Sequence, residues 1–124
     1  MNAQPNPAKR RRILVVEDNP DTALTSALLI RSMGHEVVTA DTGLAAGKLA
    51  RTFRPEMVFV DLVLPDMDGC DVAKELISEL GSAAKVYIVT AYSDDRARRR
   101  AKEAGCSDYF LKPLSTMILE SLLR

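Results

Sequence analysis

Five side chains that could bind a metal ion or take part in group transfer each follow a short apolar run: Glu17, Asp18, Asp61, Thr90 and Lys112. If these runs are parallel strands of one sheet, the five groups lie at the same edge, where ligands of open α/β sheets bind. Carboxylates held close together repel one another, and Mg²⁺ relieves that repulsion because it prefers oxygen ligands. The same cation neutralises charge on a transferring phosphoryl group.

The five groups suggest distinct roles in such a site. A carboxylate can attack phosphorus to give an aspartyl phosphate, and Asp61 is the natural nucleophile because it would lie between the acidic pair and the side of Thr90 and Lys112. Asp18 and Asp61 are the best direct ligands of Mg²⁺, with Glu17 acting through water. Lys112 can pair with one phosphoryl oxygen as a point charge, and the Thr90 hydroxyl can donate to another.

Strand-like and helix-like stretches alternate along the rest of the chain. The apolar runs at 13–16, 37–38, 57–60, 86–89 and 109–111 predict strands. Helical spacing, cap residues and stop signals predict helices at 19–33, 44–53, 72–80, 94–104 and 115–124. Five β/α repeats of this kind predict an α/β fold, with a parallel sheet covered by helices on both faces.

The predicted helices differ in their apolar residues. In the first helix the residues that follow helical spacing are Leu24, Ala27, Leu28 and Arg31. The fourth has only alanines on its apolar stripe, which predicts the most mobile helix, and Arg98 to Arg100 are interpreted as a solvated face. The last has five large apolar residues between 117 and 123, so some of them could pack on a second protomer of a homodimer or on a missing domain.

Three polar residues outside the strand ends are predicted to have no chemical role. Asp66 and Asp68 are interpreted as turn residues in the loop that leads to the third helix. His35 follows Met33-Gly34 and is interpreted as an exposed turn residue, because no cysteine or second histidine suggests a metal site.

Composition indicates one globular domain. The chain has 124 residues, of which 47% are hydrophobic, enough for a single core. Residues 1–12 are predicted to be a flexible basic tail, and the remaining 13 basic and 17 acidic residues give an acidic body that argues against nucleic-acid binding. The two cysteines, Cys70 and Cys106, fit reduced thiols. Since no apolar run could cross a membrane, a cytoplasmic protein is expected.

The residues and their order resemble the receiver domain of response regulators, the phosphoacceptor module of two-component signalling. The stretches that match are 13–19, 61–69, Thr90-Ala91 and Lys112-Pro113. Each is weak alone, but together they place the receiver domain at residues 13–124. The resemblance implies a doubly wound five-stranded sheet with the flavodoxin-like strand order 2-1-3-4-5.

Roles for single residues follow from the same resemblance. Asp61 would be phosphorylated from a phosphohistidine, and the backbone carbonyl of Val63 would join Asp18 and Asp61 as a ligand of Mg²⁺, with Glu17 holding a metal-bound water. The Lys112-Pro113 bond would be cis. Thr90 and Tyr109 would form a switch in which the hydroxyl moves to the phosphoryl group and the aromatic ring turns inward; the alternative for Tyr109 is a plain core residue.

Partners are also implied. A histidine kinase or a histidine phosphotransfer protein would supply the phosphoryl group, and the surface of the fourth helix and fifth strand would act on an unknown output partner or a missing effector domain. The protein would then be no enzyme, because it turns over no separate substrate. A free-standing regulator and the receiver part of a longer regulator or hybrid histidine kinase stay open.

Other functional classes fit the residues less well. A dinucleotide-binding domain needs a glycine-rich turn after the first strand, where this chain has Glu17-Asp18-Asn19-Pro20. A haloacid-dehalogenase-like phosphatase would want a second aspartate two residues after Asp61, where this chain has Val63. A receiver that binds partners without phosphorylation is the third alternative.

Overall fold

The protein is described by a computed structural model that covers residues 10–92 and 94–124. Strands and helices alternate, and each strand is followed by a helix. The strands are β1 (Arg12–Val16), β2 (Glu36–Ala40), β3 (Met57–Asp61), β4 (Lys85–Thr90) and β5 (Asp108–Leu111). The helices are α1 (Pro20–Ser32), α2 (Gly43–Phe53), α3 (Gly69–Leu80), α4 (Asp95–Glu103) and α5 (Thr116–Leu123), with a 3₁₀ turn at Gly81–Ala83.

All strand pairs are parallel, and the strand order is β2-β1-β3-β4-β5. The predicted α/β fold and its 2-1-3-4-5 order are therefore confirmed. Because the three interior strands β1, β3 and β4 are covered on both sides, their residues are almost all buried, as expected for parallel sheets. The predicted strands differ from the observed ones mainly at their ends; β1, for instance, begins at Arg12 rather than Ile13.

Two apolar clusters fill the space on either side of the sheet. Alternate residues of β1 point to opposite faces, so Leu14 joins one cluster and Ile13 the other. Helices α2, α3 and α4 cover the first cluster, and α1 and α5 cover the second. Helices therefore lie on both faces, as predicted.

Side-chain caps fix where the helices begin. In each case a side-chain oxygen of the residue before the helix accepts from a backbone N–H of the first turn, which satisfies an otherwise unpaired donor. The capping residues are Asn19, Thr42, Asp68, Asp94 and Ser115. The capping residue therefore sets the first residue of each helix.

One prediction about burial was wrong, and the buried face of α1 is not that of its large apolar residues. Leu24 and Leu28 follow helical spacing but are each 56% exposed, whereas α1 buries the smaller Ala23 and Ala27 together with Ile30. Small residues let the helix approach the sheet closely. His35 is not an exposed turn residue: it is 8% exposed, and its Nδ1 accepts a hydrogen bond from the backbone N–H of Arg11 at 3.0 Å.

The predictions for the two ends of the chain concern the basic tail and the apolar last helix. The tail proposed for residues 1–12 lies largely outside the described residues, although Arg12 is part of β1. In α5, Leu119 and Leu123 are buried while Met117 is 80% exposed, so the apolar residues of this helix do not all face the core. None of the helices in the described ranges is long and apolar enough to cross a bilayer.

Candidate functional site

Parallel register brings the polar ends of the central strands together. Val16, the last residue of β1, pairs with Val60 of β3, so Glu17 and Asp61 lie side by side at the same edge. Glu17 is 5% exposed and Asp61 8% exposed, whereas Asp18 is open to solvent. One oxygen from each of the three carboxylates lies within 4.8 Å of the others. The predicted acidic cluster is therefore present.

Lys112 lies in the loop after β5 and completes this cluster. Its Nζ donates to Glu17 Oε1 and, at 2.9 Å, to Asp61 Oδ2. The backbone supports this position, because the Lys112 N–H donates to the Thr90 carbonyl at 2.7 Å. The Lys112-Pro113 bond is cis, as predicted. The ammonium thus neutralises part of the charge of two buried carboxylates.

The protonation of this group reflects burial and pairing together. Burial raises the pKa of Glu17 above its ordinary value, and the hydrogen bond from Lys112 opposes that shift. Burial alone would lower the pKa of Lys112, but its hydrogen bonds to Glu17 and Asp61 outweigh burial and raise that pKa. Lys112 is therefore a firmly charged ammonium ion held by the acids that it neutralises.

The loop after Asp61 is closed tightly against the strand end. The Val63 N–H donates to Asp61 Oδ1 at 3.2 Å and so orients the carboxylate. At the base of the loop the Gly69 N–H donates to the Leu62 carbonyl at 2.8 Å. A Cβ on Gly69 would lie 2.1 Å from the Asp61 carbonyl oxygen, so only glycine fits where α3 begins beside the candidate nucleophile.

Thr90 and Tyr109, the predicted switch pair, are connected through the backbone of Tyr92. Thr90 is fully buried, and its Oγ1 accepts from the Tyr92 N–H at 3.3 Å. The Tyr109 hydroxyl donates to the Tyr92 carbonyl at 2.6 Å. The Tyr109 ring is 6% exposed and lies under the guanidinium of Arg98, 4.9 Å from the ring centroid. The ring therefore occupies an inward position.

Two loop carboxylates do more than the sequence indicated. Asp66 accepts from the backbone N–H groups of Gly43 at 2.8 Å and Leu44 at 3.0 Å, which joins its loop to the start of α2. Asp68 caps α3 and also pairs with Arg100 of α4 at 3.0 Å. The order Asp68-Gly69 before an apolar run was a detectable cap signal, whereas the contacts with α2 and α4 have no local signal.

The arginines of α4 agree in part with their interpretation as a solvated face, since Arg98 and Arg99 are exposed. Two of the three also make contacts that the sequence did not indicate: Arg98 lies over the Tyr109 ring, and the half-buried Arg100 is paired with Asp68. Arg98 and Arg100 thus help to hold α4 against its neighbours.

A cavity of about 240 Å³ opens beside the cluster, between α1 and the loop after β5. Its walls combine polar groups of the cluster with apolar side chains; they include Glu17, Asp61, Lys112, Thr25 and Leu29. A group that reached Asp61 from this side would meet Lys112 as well.

The donor set of the cluster fits a hard divalent cation. Carboxylate oxygens are the ligands that Mg²⁺ prefers, and Glu17, Asp18 and Asp61 can offer one oxygen each within a small sphere. The Lys112 ammonium, which contacts two of them, shows that this edge of the sheet stabilises positive charge. Cys70 and Cys106 are free thiols apart from this cluster.

Comparison with known proteins gives the same family over nearly the whole chain. The family model described as the response regulator receiver domain matches residues 13–124. The transcriptional regulatory protein PdtaR of Mycobacterium tuberculosis is 35% identical over 106 residues, which are 85% of this chain and 51% of PdtaR. The DNA-binding response regulator MtrA of Mycolicibacterium smegmatis is 33% identical over 115 residues, 93% of this chain and 50% of MtrA. The chain spans about half the length of these relatives.

Solved structures are similar in fold and in sequence. A response regulator from Burkholderia pseudomallei, crystallised with a phosphorylated aspartic acid, a calcium ion and citrate, has a TM-score of 0.85 and 27% identity over 92% of this chain and 66% of its own. The receiver domain of the sensor histidine kinase PA1611 from Pseudomonas aeruginosa, with a magnesium ion in its active-site cleft, has a TM-score of 0.81 and 30% identity, covering 92% of this chain and 94% of its own.

Proposed function

This chain belongs to the response regulator receiver domain family and serves as a phosphoacceptor switch, and we propose that Asp61 is the residue that takes up the phosphoryl group. The observation that carries this assignment is the position of Asp61, a buried carboxylate that lies beside Glu17 and accepts a hydrogen bond from Lys112. A strand-end carboxylate that only capped a helix would accept hydrogen bonds from backbone N–H groups and would not require a lysine ammonium as a partner.

The two oxygens of Asp61 have different neighbours, which assigns their roles. Oδ1 accepts from the Val63 backbone and is held on the side of the loop, whereas Oδ2 is bound by Lys112. We assign Oδ2 as the nucleophile, since the ammonium marks the side where phosphoryl oxygens would lie. In transfer from a phosphohistidine, Oδ2 forms the new O–P bond while the P–N bond breaks and the imidazole leaves with that electron pair.

The other predicted site residues would stabilise the charge that accumulates during this transfer. Lys112 would exchange its bond with Asp61 for one with a phosphoryl oxygen, and the buried Thr90 hydroxyl would donate to another. Asp18, Asp61 and the Val63 carbonyl would hold Mg²⁺ directly, with Glu17 binding one of its waters. Such an ion supplies neutralisation of the phosphoryl oxygens.

Partners of the whole protein belong to the same proposal. A histidine kinase or a histidine phosphotransfer protein is the expected donor, and the cavity beside α1 offers its histidine a route to Asp61. The chain promotes its own phosphorylation and turns over no separate substrate. The surface of α4 and β5 would carry the output. Four further expectations stay predictions: a cytoplasmic location, a homodimer, a longer parent chain, and no nucleic-acid binding by residues 13–124.

Incubation with acetyl phosphate and Mg²⁺, followed by intact-protein mass measurement, tests the assignment. The wild-type chain should gain one phosphoryl group, and the gain should disappear in Asp61→Asn and in the presence of a chelator. Asp71→Asn, which removes an exposed carboxylate of α3, is the matched control and should be phosphorylated normally. A phosphoryl group on folded Asp61→Asn would overturn the assignment.

A further inference from the structure

Helix α4 is held to the rest of the protein by little apolar surface. Of its nine residues, Asp95–Glu103, only Ala97 and Ala101 are buried, and alanine side chains contribute little hydrophobic stabilisation. Polar contacts from Arg98 and Arg100 therefore carry an unusual share of its attachment. The contact of Arg100 is the one that leads toward the phosphorylation site.

Asp68, the partner of Arg100, belongs to the loop that follows Asp61. Its Oδ1 accepts from the Cys70 N–H at 2.8 Å, and its Oδ2 accepts from Arg100 Nη1 at 3.0 Å. Burial raises the pKa of Asp68, but the Arg100 guanidinium and the Cys70 N–H outweigh burial and lower it. Both oxygens of this carboxylate thus have fixed partners.

The loop from Asp61 to Gly69 transmits the position of Asp68 to the site. Asp68 forms an antiparallel bridge with Val63, and Val63 in turn donates to Asp61 Oδ1. The loop is closely packed at its base, because the Gly69 N–H donates to the Leu62 carbonyl and a Cβ on Gly69 would lie 2.1 Å from the Asp61 carbonyl oxygen. Arg100 is therefore connected to Asp61 through three successive contacts.

We propose that Arg100 is a positioning residue for the phosphorylation site: through Asp68 it holds the loop so that the Val63 carbonyl and the Asp61 carboxylate are arranged for Mg²⁺. This inference rests on the metal site given under Proposed function. Because coupling between two sites is reciprocal, metal binding at Asp61 also strengthens the attachment of α4 through the same ion pair.

The size of the effect is bounded by the strength of the ion pair. The side chains of Arg100 and Asp68 are 41% and 35% exposed, so water screens their attraction and the pair contributes modestly. The free energy of Mg²⁺ binding cannot depend on this ion pair by more than the free energy that the pair itself contributes. Loss of the pair should therefore weaken Mg²⁺ binding by about two- to fivefold.

The test uses variants whose charges change in opposite directions. Arg100→Gln removes a cation, and Asp68→Asn removes an anion while keeping a good helix cap. If only long-range charge mattered, the first variant would bind Mg²⁺ more tightly and the second less tightly. A positioning role instead predicts that calorimetry finds weaker Mg²⁺ binding in both single variants. The double variant should bind Mg²⁺ no more weakly than either single variant, and Arg100→Lys should keep most of the wild-type affinity.

Two controls separate the outcomes. Arg99→Gln, on the exposed side of the same helix, reports the effect of charge alone and should tighten Mg²⁺ binding slightly. Hydrogen exchange of the Val63 and Gly69 amides, measured without metal, should accelerate in Arg100→Gln and Asp68→Asn but not in Arg99→Gln.

Two results would overturn the positioning role: affinity in Arg100→Gln that matches Arg99→Gln, or exchange that stays unchanged. If the wild-type chain bound no Mg²⁺, the proposed metal site would fail, and amide exchange would still decide whether Arg100 holds the loop.

Discussion

Lys112→Met removes the ammonium ion that donates to both Glu17 and Asp61 while keeping most of the packing of its stem. The variant leaves two buried carboxylates and the nearby Asp18 without this counter-ion. We expect lower stability in the presence of a chelator and recovery of that stability when Mg²⁺ is added, because a divalent cation can take over the neutralising role.

The magnitude follows from burial. A hydrogen bond to a charged group contributes about 1.5–3 kcal/mol, and removing one partner of a buried ion pair costs about 3–5 kcal/mol. The Lys112 side chain is 22% exposed, so water solvates part of the charge left behind, and the expected loss lies between the lower limit of the first range and the upper limit of the second. The free energy of unfolding should therefore fall by about 2–4 kcal/mol without metal.

Urea unfolding in chelator and in Mg²⁺, together with calorimetric titration, provides the assay. Stabilisation by a ligand grows with its concentration relative to the dissociation constant, and the variant should bind Mg²⁺ more tightly since no ammonium competes for the carboxylates. Lys102→Met, at an exposed position of α4, is the matched control and should change neither quantity measurably. Loss of Mg²⁺ binding in Lys112→Met, or equal destabilisation in both buffers, would refute the counter-ion role.

Three further substitutions test the packing of the fold. Gly69→Ala places a Cβ 2.1 Å from the Asp61 carbonyl oxygen and should lower the unfolding free energy by about 1–3 kcal/mol or more. Gly47→Ala, whose Cβ would meet nothing within 4 Å, should raise the unfolding free energy by about 0.5–1 kcal/mol. Urea titrations that change the stability of both variants in the same direction would contradict the argument. Burial, followed by the charges of Arg11 and Arg10, lowers the pKa of His35, so the unfolded chain binds the proton more readily and stability should decline as pH falls below about 6.5. His35→Asn keeps an acceptor for the Arg11 N–H but does not titrate, so its urea midpoint should decline less between pH 7.5 and 5.5, and an unchanged decline would exclude His35 as the cause.

The fold and the acidic site were predictable because both depend on local patterns. Short apolar runs that end in carboxylates mark buried parallel strands, and the strand-end rule then places Glu17, Asp18 and Asp61 together without knowledge of any contact. Helix starts were also readable, since Asn19 and Ser115 are ordinary capping residues.

Other features could not be predicted, since they depend on how helices dock. The face that α1 turns inward is set by close approach to the sheet, which favours Ala23 and Ala27 over the larger Leu24 and Leu28. His35 is buried because β1 begins beside it, and its partner Arg11 lies 24 residues away in sequence. No local pattern connects residues so distant along the chain.

The weak attachment of α4 bears on which element of the fold phosphorylation would move. Strands β1 and β3 are buried on both faces, so shifting them would expose many large side chains. Helix α4 buries two alanines and relies on an ion pair and a cation–π contact, each of which contributes about 1 kcal/mol or less when partly exposed. We expect a phosphoryl charge at Asp61 to act on groups of this strength through Thr90 and Asp68, and so to shift α4 rather than the central strands.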